Sequence, residues 1–426
     1  MNDPSDVDRE GRRAGVLLAA AVTAGMALNM PSLVGSTFSL FLKPVSEAFG
    51  WGRVAMSTAV LIAFTITTAF YPLVGKMVDR WGARPVVLPG TLILGATIMS
   101  LALLRGSPSQ FDIQFFAVAT AGTLVSGVVY GRALAGVFDG NRGKALGICL
   151  GVGGGLGAAL APQFVRYLIE HFGWRNAYLG LGALPVIVAF PILFQCLRGE
   201  KAKVPDVEKP RTGSETPFGL TVLQAMCRPG LWLILAAIFL SCLANNGVLV
   251  HLAAMLTDRG ISLEFATALL STVAVATTMG QFASGFLLDR INSPRVGIPF
   301  AASVLAGLLL LDHGTTAAPL FLGVVLFGFG MGSEYSLMPY YVSRYFGLRG
   351  FGTLYGGIYA FASIGGGLGP YVMGRVFEST HSYSGALLTF EGGLMLAIVC
   401  IASLGRYVYA PRGAVVGASP RSQPAT

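Results

Sequence analysis

Twelve long apolar blocks run through this chain, and no other feature restricts its fold more. They lie near 15–42, 54–75, 85–104, 111–136, 145–169, 176–197, 230–256, 264–288, 296–311, 317–341, 351–376 and 383–405. About 20 mostly apolar residues suffice for a helix to cross a bilayer. The eighth and ninth blocks are the weakest, one diluted by polar residues and the other short. Hydrocarbon offers a backbone N–H or C=O no partner, so each block is expected to bond internally as a helix. Only 12% of the 426 residues are charged and 54% are hydrophobic, against about 25% charge in a soluble domain. The chain therefore reads as an all-α membrane protein of twelve transmembrane helices, with the lipid bilayer as its solvent. The first block is too long for a signal core and has no small-residue cleavage site after it. It is expected to remain as a span.

The formal charge of +9 is an orientation signal. With the N-terminus in the cytosol, 21 of the 29 Lys and Arg fall on inner segments. Seven fall on outer connections, and Arg132 lies inside a span. The positive-inside rule then puts both termini in the cytosol of a multi-pass inner (cytoplasmic) membrane protein. No nucleic-acid partner is needed to explain the charge. Cys149, Cys196, Cys227, Cys242 and Cys400 have no metal or disulfide spacing and read as small hydrophobes. No G-x-x-x-x-G-K-[ST], H-E-x-x-H or G-x-S-x-G occurs. ATP drive, a cofactor, a metal centre and enzyme chemistry are therefore not expected.

The blocks divide six and six. Between the sixth and seventh stands "RGEKAKVPDVEKPRTGSETP", the longest polar stretch, which reads as a flexible linker. This predicts an N-terminal six-helix bundle over 1–197, a cytosolic linker over 198–229, a C-terminal bundle over 230–406 and a cytosolic tail over 407–426. Repeated words support the division. "GGGLG" stands at Gly153–Gly157 and again at Gly365–Gly369, and "GKMVDRWGARP" after the second block is answered by "GFLLDRINSPR" after the eighth. "VFDGNRGKALG" is likewise answered by "RYFGLRGFGTLYG". Repetition at half the chain length reports a repeated structural unit.

The pattern Gly75, Asp79, Arg80, Gly82, Arg84 resembles the loop signature of the major facilitator superfamily, with a weaker copy at Gly285, Asp289 and Arg290. The resemblance covers nearly the whole chain. It implies two pseudo-symmetric six-helix bundles related by a twofold axis along the membrane normal, with a substrate cavity between them. "FGWGR", "RGKALGI", "FGWRNAY", "GVLVHL" and "GGGLGP" further resemble the bacterial branch of the monocarboxylate and oxalate/formate transporters. That branch implies organic-anion substrates. There are departures. Animal monocarboxylate transporters carry an Asp and an Arg in span eight where this chain aligns Thr277 and Gln281. Their span-one lysine aligns near Ser36, and the cations of oxalate exchangers in spans eight and eleven are missing. The resemblance thus carries over the scaffold and an anion class, and leaves the coupling mechanism open.

In that scaffold the glycine tracts would let spans five and eleven approach neighbours closely, as sliding surfaces between the halves or as static packing. Asp79, with Gly75, Arg80, Gly82 and Arg84 and their counterparts Asp289 and Arg290, would latch the cytosolic side or serve as ordinary loop charge. Charge inside hydrocarbon costs about 2.5–3.5 kcal/mol or more and so points to function. Arg132, beside Tyr130 in span four, is the candidate for holding a carboxylate bidentately. It would otherwise be an interhelical pair, a gate or a snorkelling side chain. Glu334 in "GMGSEYSLMP" is the candidate proton carrier, against a structural hydrogen bond. His251 is a second proton candidate, or a satisfied structural residue. Asn245, Asn246, Gln281, Tyr335, Tyr355 and Tyr359 complete the expected substrate surface, whereas Glu391 has no assigned role.

The expected function is secondary active transport of a small organic anion by alternating access, with a proton, by a monomer. The alternatives are an exporter of drug-like or cationic compounds, with Glu334 as the cation site, and a sensor that kept the fold without turnover.

Overall fold

The computed structural model describes residues 4–135, 147–197, 219–291, 293–347 and 349–409. The side chains of Asp79, Arg132, Asp289 and Tyr335 lie outside that description, as do residues 198–218 of the expected linker and 410–426 of the tail. Ten stretches of the described chain are long and apolar enough to cross a membrane. One of them, Gly153–Cys196, holds two spans, because Gly173 turns the backbone to φ 78° and breaks the helical run. Glycine takes that left-handed value without the steric cost a Cβ brings. A further helix, Phe351–Thr380, is long enough to cross but is diluted in hydropathy by its own glycines and tyrosines. With these two, twelve spans follow one another in the order the apolar blocks predict.

Local chemistry sets the boundaries. Pro108, Pro229 and Pro294 open their helices, where a missing N–H costs nothing. Ser262 caps span eight by accepting from the Phe265 N–H at 3.2 Å. Gly82 ends span two at φ 84°, which explains the glycine of the Gly75–Arg84 motif. Four spans of the described chain are interrupted part-way, span six by a wide turn at Pro185–Ala189. Span one passes from Pro4–Ala27 through a wide turn at Pro31–Gly35 into Ser36–Phe49. Span four divides into Pro108–Leu124 and Gly127–Ala135, and span ten into Ala317–Gly332 and Glu334–Phe346. Spans four and ten are counterparts in the two halves, and both break at a serine, Ser126 and Ser333.

An even number of crossings leaves both ends of the chain on one side, here the terminal face; the opposite side is the far face. The two glycine tracts hold the arrangement together at corresponding places. Gly153 and Gly157 lie against the backbone of Thr23 and Ala27 in span one, where an added Cβ would strike a carbonyl oxygen. Gly365 and Gly369 meet Phe239 and Leu243 of span seven in the same way. Between them, Gly155 faces Thr278 of span eight, and Gly367 faces Leu61 of span two. The i, i+4 glycines share one helix face and dock each span on the first helix of its own half. The glycine between them meets the opposite half. The linker's end is docked as well. Val222–Met226 forms a short helix with a Thr221–Gln224 capping box, and the Leu220 N–H donates to Phe346 O at 2.8 Å.

Candidate functional site

The polar centre of the C-terminal half is built at the break in span ten. Glu334 opens the second segment, immediately after Ser333. The Asn245 side-chain amide donates to Glu334 Oε1 at 2.6 Å, and the Cys242 thiol donates to Oε2 at 3.4 Å. Cys242 and Asn245 are three residues apart on span seven, so they present one face to span ten. The Asn246 amide turns back to the Cys242 carbonyl at 3.0 Å. Tyrosine rings extend this centre toward the other half. Tyr355 and Tyr359 have ring centroids 6.5 Å apart, and Tyr359 lies 6.2 Å from Tyr71 of span two. The Tyr71 and Tyr359 side chains share a hydrogen bond. A carboxyl group held by an amide and a thiol, beside a tyrosine cluster shared by both halves, can exchange a proton or attract a cation. It also supplies a polar wall to a small ligand.

A second polar assembly joins the halves at the far face. Asp258, ending span seven, takes Lys43 at 2.6 Å and Arg53 at 2.8 Å. Arg53 also donates to the Tyr383 hydroxyl at 2.7 Å and lies over the Phe377 ring, 4.5 Å from its centroid. The Val54 N–H donates to Glu378 at 2.9 Å, and the Ala253 N–H donates to Ser39 Oγ at 2.7 Å. Behind them His251 is fully buried. Its Nε2 lies 3.0 Å from Ser57 Oγ and 3.1 Å from Pro370 O, and its Nδ1 lies 3.3 Å from the Tyr383 hydroxyl. Gln163 of span five donates to Ser271 of span eight at 3.2 Å. Both cations of this seal belong to the N-terminal half and both carboxylates to the C-terminal half. Partly exposed ion pairs are worth about 0.2–1 kcal/mol each, so such a seal biases the closed arrangement without making it irreversible.

The structure thus gathers some of the expected site residues and separates others. Asn245, Asn246, Glu334, Tyr355 and Tyr359 come together. His251 stands apart, in the far-face seal. Gln281 lies at the junction of spans eight and five, against Gly151, and its carbonyl accepts from Ser336 at 3.4 Å. Tyr130 is buried against Gly25 of span one, and its hydroxyl has no hydrogen-bond partner among the described residues. The Arg132 backbone lies on Gly127–Ala135, which packs on spans one, two and five of its own half; its side chain and that of Tyr335 are outside the described part. Of the loop residues, Arg84 stands over the Phe194 ring at 5.6 Å and Arg290 over the Phe286 ring at 3.8 Å. Gly75 faces open space and Arg80 is exposed, while the Asp79 and Asp289 side chains are again outside the description.

Sequence reasoning missed Cys242, Tyr71 and the seal of Lys43, Arg53, Asp258, Glu378 and Tyr383. Cys242 could have been found from its i, i+3 spacing to Asn245. The "FGWGR" word already singled out Arg53, but nothing in it names partners 205 and 330 positions away.

Two halves of six helices, glycine-packed on each other and sealed at one face by breakable polar pairs, are the architecture of a membrane transporter. The family model of the Major Facilitator Superfamily matches residues 17–370, and the chain belongs to that family. Monocarboxylate transporter 13 of Bos taurus is 28% identical, covering 85% of this chain and 82% of its own length. The uncharacterized MFS-type transporter YcxA of Bacillus subtilis is 26% identical, covering 89% and 90%. Among solved structures, a mutant of the nucleoside transporter NupG superposes with a TM-score of 0.72, covering 91% of this chain and 99% of that one. At 16% identity that likeness speaks for the fold alone. The relatives are transporters rather than enzymes, and so is the class of this protein.

Proposed function

We propose that this transporter moves a small organic anion of the monocarboxylate type together with a proton. The terminal face would be cytosolic, and the two bundles would rock about the glycine-packed spans. The observation that carries the reading is the mid-membrane carboxyl of Glu334, fixed by Asn245 and Cys242 and continued by Tyr359 to Tyr71 of the opposite half. A buried charge is tolerated when it does work. A carboxyl that is neutral when protonated and negative otherwise makes anion entry depend on the proton. The similarity to monocarboxylate transporters supports the anion class. Arg132 is assigned the anion contact on its chemistry, since a guanidinium binds a carboxylate through two parallel hydrogen bonds.

In this reading the far-face seal is closed and the substrate exchanges with the cytosol. Opening the far face requires Lys43 and Arg53 to leave Asp258, and Val54 to leave Glu378. A second reading, export of cationic compounds, is favoured by one observation: the central cluster is built around a carboxyl group. Thermal-shift screening of the purified protein against short organic acids and organic cations separates the two. Stabilisation by acids, strengthening as pH falls, supports anion–proton transport. Stabilisation by cations alone, strengthening as pH rises, supports export.

A further inference from the structure

A narrow slot runs beside Glu334 inside the C-terminal half, walled by spans seven, nine, ten and twelve, with an open volume of about 40 Å³. Along span seven it extends from Ser241 to Ile234, and along span ten from Gly330 to Tyr341. At 1.5 Å per residue the span-seven wall is about 10 Å long and the span-ten wall about 16 Å. Glu334, Ser241 and Ser333 stand at its deep end. At its other end are Gly297, Tyr341 and Leu404, close to where span nine begins at Pro294 and just past the end of span twelve at Ala402. The slot therefore points from Glu334 to the terminal face.

Its deep end contains unmet hydrogen-bonding capacity. The Ser241 hydroxyl, which lines it beside the Glu334 carboxyl, has no hydrogen-bond partner among the described residues. At the outer end the Tyr341 hydroxyl donates to Pro294 O at 2.9 Å and accepts from the Gly297 backbone N–H, which leaves one lone pair of its oxygen for a water. One water needs roughly 10–15 Å³ and two to four polar partners, so a space of this size takes roughly three or four. The middle walls are apolar, so the polar groups at the two ends must hold such a file.

We propose that this slot is water-filled and carries protons between the cytosolic solution and Glu334 without passing through the space between the halves. A hydronium ion entering beside Tyr341 gives its proton along the file to the Glu334 carboxylate and becomes water; release reverses the step, and no other reactant takes part. The route rests on the reading of Glu334 as the proton carrier.

Hydroxyl-radical footprinting of the unmodified protein tests the water directly. Met338 lines the slot and is 7% exposed, whereas Met373 is fully buried elsewhere. Oxidation of Met338 several-fold faster than Met373 is expected, and it should fall to the Met373 rate when Ala237→Leu fills the slot. In proteoliposomes the same variant should slow pH-gradient-driven uptake several-fold and leave substrate-for-substrate exchange, which moves no net proton, at the wild-type rate. Equal labelling of the two methionines in the unmodified protein overturns the water file. Equal slowing of uptake and exchange overturns its role in proton supply. Glu334→Gln separates the underlying reading: if it keeps pH-driven uptake, Glu334 is not the carrier and the route falls with it, whatever Met338 shows.

Discussion

Glu334 has two hydrogen-bond donors, Asn245 and Cys242, and each is satisfied by a carboxyl oxygen whether or not the group carries a proton. The change that matters is charge. Protonation removes a negative charge from the route of an anion, so anion affinity should rise as pH falls. Glu334→Gln keeps an acceptor for Asn245 and imitates the protonated form. Its anion-induced rise in melting temperature should be at least that of the parent and flat across pH, and a retained slope would remove Glu334 from the coupling. Arg132→Gln should abolish that stabilisation altogether. Arg132→Lys should keep part of it, because an ammonium retains the point charge and loses the two-pronged bond. Unchanged affinity in Arg132→Gln would make Arg132 a structural or gating residue.

At the scale of the helix, the glycine tracts make two separable predictions. Gly157 meets the Ala27 carbonyl of its own half, so Gly157→Leu must push spans one and five apart. Overpacking of this kind costs about 1–3 kcal/mol or more and should appear as a lower melting temperature. Gly155 meets the Thr278 side chain of the other half. Gly155→Val should leave melting less affected and shift the distance distribution between labels on spans five and eight. The tracts, the twelve blocks and the six-and-six division were all legible because lipid enforces them: a span must be long, apolar and helical, and a close crossing must be small. The interruptions were less legible. Span one continues to Phe49, beyond its apolar block, because Lys43 and Glu47 lie near the membrane surface, where apolar patterning has ended. The Gly173 break was visible only as a dip between the fifth and sixth blocks. Hydropathy also says nothing of which polar residues meet. It singled out Glu334 and His251 alike, and only packing puts one at the centre and the other in the seal, with Ser57 and Tyr383. The loop motif is tested by Asp79→Asn, which should slow turnover far more than it weakens substrate binding. A loss of binding with an unchanged access equilibrium would contradict the latch.

For the whole molecule, the seal and the site lie at different depths, which alternating access requires. Asp258 takes both Lys43 and Arg53, so Asp258→Asn weakens two pairs at once. At about 0.2–1 kcal/mol each, the population open at the far face should rise by a factor of up to roughly thirty, at 1.4 kcal/mol per tenfold. Pulsed electron resonance between spin labels at the exposed positions 47 and 264 reads that shift as a longer distance. An unchanged distribution would mean that the glycine-packed spans hold the state by themselves. The central claim is that an organic anion and a proton cross together, and proteoliposomes enclosing a pH-sensitive dye test it most directly. Addition of a labelled monocarboxylate should load the label and acidify the lumen at matched rates, with both signals dependent on protein and the acidification lost in Glu334→Gln. Label uptake without acidification in the parent protein, or uptake of organic cations instead, would contradict the account.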